Sequence, residues 1–103
     1  MTPEQAVAWA EDRGATPHVM PLARGKKAEI AAIARTLSFP DWFGQNLDAL
    51  YDSVTDLSWL EKGEHVLIVP STLDPSVEAV LRDAQERTAE SGDRTLRVIH
   101  TDR

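Results

Sequence analysis

The apolar positions of this chain switch repeatedly between a helical and an extended period. Thr2-Pro3-Glu4-Gln5 is a capping-box start with Pro at the first helical position, and Ala6, Val7, Trp9 and Ala10 form a short apolar stripe that stops at Gly14. A helix is predicted over about 3–12. Residues 16–22, TPHVMPL, hold His18-Val19-Met20 between two prolines and read as an edge strand, because Pro cannot donate to a ladder. Ala28, Ile30, Ile33, Ala34 and Leu37 then recur at helical spacing, predicting a second helix from about 26 to 37 that Phe39-Pro40 ends.

A third helix should run from about 43 or 46 to 57. Projected at about 100° per residue, Phe43, Leu47, Leu50, Tyr51, Val54 and Leu57 share one face, while Gln45, Asp48, Asp52, Thr55 and Asp56 gather on the adjoining one. Val66-Leu67-Ile68-Val69, bounded by Gly63 and Pro70, is a continuous branched run of the kind covered on both faces, and is the expected central strand. Asp74-Pro75 caps a helix to about residue 90 with core positions Val77, Val80, Leu81, Ala84 and Thr88, and Gly92 lets it end. Thr95 to Ile99 is the last strand. Strand, helix and strand make a right-handed parallel crossover, so the expected class is α/β, a small three-stranded parallel sheet flanked by helices.

Composition narrows the function. A chain of 103 residues, 42% hydrophobic and 27% charged, is expected to form one globular domain over 1–103. It holds no apolar run near the roughly 18 residues of a membrane span and no signal-peptide pattern at its start, which predicts a soluble, cytoplasmic protein. Without Cys there is no disulfide, thiolate or cysteine zinc site, and His18, His65 and His100 are scattered without ligand spacing. No metal, cofactor or catalytic residue is expected.

The formal charge of −6 is local: between Ser38 and His65 six acids face only Lys62, and no Lys or Arg occurs between Arg35 and Lys62. Such a surface repels nucleic acid. Three readings compete for it. Asp48, Asp52 and Asp56 can be a plain solvated face, but like charges four residues apart repel, and Trp42, Tyr51 and Trp59 nearby are residues that interface centres favour. They can be acid, base or Mg²⁺ ligands, although no phosphate loop, His-Glu-x-x-His or nucleophile elbow accompanies them. Or they can stand in for the phosphates of a polyanion, so that the helix enters a basic cleft such as that of a ribonuclease.

The run Phe39-Pro-x-x-Phe43-Gly44-x-Asn46-Leu47-Asp48-Ala49-Leu50-x-Asp52, followed by Thr55-Asp56 and Trp59, resembles the signature of the barstar family, intracellular inhibitors of secreted microbial ribonucleases of the barnase type. The resemblance implies a three-stranded parallel sheet flanked by helices and binding to such a ribonuclease, for which a 1:1 complex is the simplest expectation. It implies that Trp42 stacks on the enzyme and that Gly44 and Asn46 let the backbone approach closely. Asp48 and Asp52 would be contact carboxylates, with Asp52 at the phosphate position. Tyr51 sits where the family often has Trp, Thr55 and Trp59 match the rim, and Val80 and Asp83 match an apolar residue and an acid on the next helix. Beside these roles Gly44 can supply a positive φ, Asn46 can cap the helix, and Tyr51 and Trp59 can equally be packing residues. The N-terminal helix is additional to the family pattern, the aromatics at 42 and 51 are exchanged in type, and Asp83 is one methylene shorter than the usual Glu. A barstar-like fold reused as an immunity or adaptor module for another basic protein is the alternative.

Overall fold

The computed structural model of the chain describes residues 1–40 and 44–103. In chain order the elements are helix α1 (Pro3–Asp12), strand β1 (Thr16–Val19), helices α2 (Lys26–Thr36) and α3 (Leu47–Asp56), strand β2 (Gly63–Val69), helix α4 (Pro75–Ser91) and strand β3 (Arg94–His100). The strands form one sheet in the order β1-β2-β3, with both pairs parallel. The α/β class, the parallel sheet and the central place of the Val66–Val69 run are as the sequence predicts.

Strand limits follow hydrogen bonding rather than apolarity. β2 starts three residues before its apolar run because the ladder to β3 opens at Gly63 opposite Arg94 and the Gly63 amide donates to Asp93 O at 2.8 Å. β1 stops at Val19, short of the expected span. The Met20 amide still reaches Ile68 O at 2.9 Å, but the next bond would come from the amide of residue 70, and Pro70 has no proton to give, so Met20 O accepts from Arg103 Nη2 at 2.7 Å instead.

The alternation along β2 builds two cores. Leu67 and Val69 face α2, α3 and α4, where they pack with Ile30, Ile33, Leu37, Leu50, Val54 and Leu81. Val66 and Ile68 face the other way and pack with Ala6, Ala10 and Ala15. Helix α1 therefore covers the second face of the sheet. Each fully buried branched side chain in these layers contributes about 1.5–3 kcal/mol.

The caps work as read. Thr2 Oγ1 accepts from the Gln5 amide at 3.1 Å while Gln5 Oε1 accepts from the Thr2 amide at 2.8 Å, and Asp74 accepts from the Ser76 amide at 2.9 Å. Buried Glu29 accepts from the Asp74 amide at 2.9 Å and so ties α2 to the start of α4. On α4, Val77, Leu81, Ala84 and Thr88 are buried, but Val80 is only half-buried at the margin of the larger core.

Two polar clusters flank the sheet. On the α1 side Glu64 is held by Arg13 at 2.7 Å and Arg97 at 3.1 Å, and the two guanidiniums lie 4.4 and 5.9 Å from the Trp9 ring centre. On the other side His18 Nε2 meets His65 Nδ1 at 3.0 Å, and His65 Nε2 lies 2.8 Å from Glu61 O. These two histidines are thus not scattered. The parallel register sets His18 opposite Leu67, two residues along from His65 on the same face. A carbonyl only accepts, so geometry assigns the His65 proton to Nε2 and leaves Nδ1 to accept from His18 Nε2–H. Among the described residues no helix is long and apolar enough to cross a membrane.

Candidate functional site

Helix α3 positions the acidic face, and its start is built by Asn46. With extended backbone (φ −134°, ψ 173°), Asn46 accepts through Oδ1 from the Ala49 amide at 2.8 Å and donates through Nδ2 to Gly44 O at 3.3 Å. A cap of this kind is worth about 1 kcal/mol. Leu50, Ser53 and Val54 turn inward and are buried, which leaves Asp48, Asp52 and Asp56 outward and exposed. Successive members of that row are one helical turn apart, about 6 Å. Asp48 lies in the first turn, where the helix dipole favours an anion.

Among the described residues no Lys or Arg pairs with any of the three carboxylates, and only Asp56 has a side-chain partner, Ser58 Oγ donating at 2.9 Å. Nor do the described residues group three His, Asp or Glu side chains placed to hold a metal ion. What such a row can do chemically is accept hydrogen bonds and attract positive charge.

The loop leading into α3 departs from expectation in one respect. Gly44 does not take a positive φ. Its neighbour Gln45 does, at 48°, as do Ser38 at 56° and Leu57 at 52°, so three non-glycine residues hold left-handed backbone in the stretch around α3. Gln45 consequently precedes the helix and does not belong to its acidic face. A Cβ added to Gly44 would sit 3.4 Å from Asn46 Nδ2 and 3.7 Å from Ala49 Cβ, so the described residues do not require glycine there.

The remaining candidates divide. Tyr51 and Thr55 are half-buried, and the Thr55 hydroxyl is committed to its own helix, donating to Tyr51 O at 2.7 Å. Trp59 is also half-buried. Its Nε1–H donates to Leu37 O at 2.9 Å, and its ring meets Phe39 edge-on with centres 5.5 Å apart. Those bonds account for Trp59 as a brace between the end of α2 and the segment after α3. On α4, Asp83 is exposed one turn beyond Val80. Trp42, with Asp41 and Phe43, lies outside the described residues.

The family model described as Barstar (barnase inhibitor) matches residues 20–100. The chain belongs to the barstar family. Members of this family are inhibitors rather than enzymes, and the proteins they bind are ribonucleases. The barstar match takes in α2, the loop, α3, β2, α4 and β3, whereas α1 and β1 precede it. No curated protein matches the chain.

Sequence reasoning passed over one element next to this site. Arg24, Lys26, Lys27 and Arg35 line a groove of about 770 Å³ together with Gln45, and Lys26 and Lys27 share a second groove with Asn46, Leu47 and Asp48. The signal was present in the spacing, since these four are the only Lys or Arg between Gly14 and Glu61.

Proposed function

We propose that this barstar-family chain inhibits a secreted microbial ribonuclease of the guanyl-specific type, made by the same cell, by plugging its active site in a 1:1 cytoplasmic complex. The observation that carries the reading is the exposure of Asp48 and Asp52 one turn apart on α3, with no ion pair to either among the described residues. A ribonuclease keeps Arg, Lys and His in its cleft to hold phosphates, and two carboxylates at a fixed spacing take those donors without offering a bond to cleave. Asp52 is assigned to the phosphate position and Asp48 to a flanking cation. Gly44 is assigned to a close backbone approach by family resemblance, and among the described residues nothing nearer than 3.4 Å meets a Cβ built there. Trp42 is assigned to stacking by family resemblance, and Val80 and Asp83 extend the contact onto α4.

Charge on this face sets the association rate more than the final affinity. The barnase–barstar pair is itself the standard example of such steering, and the sign of the effect is what carries to this chain. The test is RNA cleavage by a purified barnase-type ribonuclease titrated with the chain. Cleavage should stop at one equivalent, and the association rate should fall as salt is added. Undiminished cleavage across a panel of such enzymes would remove the reading, and capture of a different basic protein would replace it with the immunity or adaptor alternative.

A further inference from the structure

We propose that the surface meeting the ribonuclease is bipolar: the basic ledge of Arg24, Lys26, Lys27 and Arg35 beside α3 receives a carboxylate-bearing patch on the rim of the same catalytic cleft. This rests on the inhibitor reading above and adds the kind of enzyme that it selects.

The two charged surfaces are continuous. Lys26 and Lys27 line one groove with Asn46 and Asp48, and both also line the larger groove with Arg24 and Arg35. Gln45 borders both grooves and a third, smaller one with Arg35, Phe39 and Pro40, so the left-handed turn at Gln45 is the joint between ledge and acidic helix. Leu22, 66% exposed, adds an apolar contact to the floor of the ledge.

The ledge is not a structural charge cluster. Arg13 and Arg97 pair with Glu64, whereas among the described residues none of the four ledge cations forms an ion pair, and neither do Arg82, Arg87, Arg94 and Arg103. The acid on their own helix, Glu29, is buried and bonded to the Asp74 amide. Among the described residues, then, no ion pair offsets the charge of the ledge.

A partner will cover it. A specific interface occupies roughly 800 Å² on each side, far more than two aspartates supply, and Lys26 and Lys27 flank the groove that Asp48 enters. Against a uniformly basic surface four cations would oppose the three carboxylates of α3 and cancel their steering. Against a basic cleft with an acidic rim both halves attract, and only one orientation satisfies them. The arrangement thus rejects basic proteins that lack the acidic rim, which is specificity by a built-in repulsion.

The decisive variant is K26E/K27E, compared with Asp52→Ala. Both lysines are exposed in the first turn of α2, where Glu is favoured by the dipole, so the variant should fold, as an unchanged melting curve verifies. With the inhibited ribonuclease at low salt, K26E/K27E should associate about tenfold more slowly, and Lys substitutions in the acidic rim of the enzyme should restore the rate. Equal or faster association overturns the bipolar surface while leaving the inhibitor reading intact if Asp52→Ala still weakens inhibition. Inhibition indifferent to Asp52, or no inhibition of any enzyme tested, removes both. Binding of an RNA oligonucleotide by the free chain that is lost in K26E/K27E would also overturn the proposal, by assigning the ledge to phosphate.

Discussion

Glu64 and Asp52 show two ways in which one chain uses a carboxylate. Glu64, on β2, is gripped by Arg13 and Arg97, whose guanidiniums lie near Trp9, so its charge is satisfied within the molecule. Asp52, on α3, stands exposed between Asp48 and Asp56, with no cation among the described residues. Glu64 is half-buried and Asp52 exposed, but neither is withdrawn from solvent. What separates them is that Glu64 is ion-paired within the chain and Asp52, among the described residues, is not. A row of like charges costs a few tenths of a kcal/mol per neighbouring pair, and among the described residues no ion pair offsets that cost. On the proposed reading the acidic row is half of a contact, while the Glu64 cluster is a clasp across the sheet.

The sharpest way to break that comparison is Asp52→Ala against Glu64→Gln. Removing Asp52 should weaken ribonuclease binding at least about thirtyfold, the loss of about 2 kcal/mol that defines a hot spot. Its melting temperature should stay level or rise slightly as repulsion is relieved. A calorimetric titration beside a thermal melt reads both quantities. A large stability loss in Asp52→Ala would place that carboxylate in the same class as Glu64.

Trp59 tests the boundary between the classes. Its indole N–H holds Leu37 O, and its ring abuts Phe39, so Trp59→Phe should lower stability by about 1 kcal/mol, which is about 4–8 °C in a domain of this size. If Trp59 is a brace and nothing more, the association rate with the ribonuclease will be unchanged. A slower association at equal stability would move it into the contact.

Glu64→Gln should have a smaller effect. Each partly exposed ion pair contributes about 0.2–1 kcal/mol, so losing two should depress the melt by a few degrees and leave inhibition untouched. Reduced inhibition without a change in the melt would show that the α1 side of the sheet also meets the partner.

Most of the architecture was legible because it depends on short-range patterns. The capping box at Thr2, the Asp74 cap, the four-residue branched run of β2 and the inward stripe of α3 each lie within one element, and the acidic row follows from the same periodicity. What escaped depends on chain trace and register. His18 and His65 are 47 residues apart and meet only because β1 and β2 are parallel in one register. The left-handed residue near 44 is Gln45 and not the adjacent glycine, a choice set by how the loop enters α3. Apolar patterning gave α1 a helix but not a position, and its small alanine face proved to close the second side of the sheet.

That histidine pair offers a third treatment of charge, its exclusion, and the smallest of the expected effects. Burial, and then the neighbouring His65, hold the His18 pKa below its ordinary 6.5, partly opposed by a hydrogen bond with the Thr36 backbone. The unfolded chain therefore takes up a proton at about pH 6.5 that the folded chain still refuses. The stability due to a neutral His18 is complete above pH 6.5 and is lost as the pH falls below it toward the lower folded value. Thermal melts between pH 7.5 and 5 should show a decline that His18→Gln flattens, since glutamine can donate to His65 without titrating. A decline of equal steepness in that variant would trace the acid sensitivity to carboxylates instead. Because α2 ends at Thr36, just before the loop that leads into α3, the same titration followed by inhibition rather than melting shows whether acid loosens the binding face before it unfolds the chain.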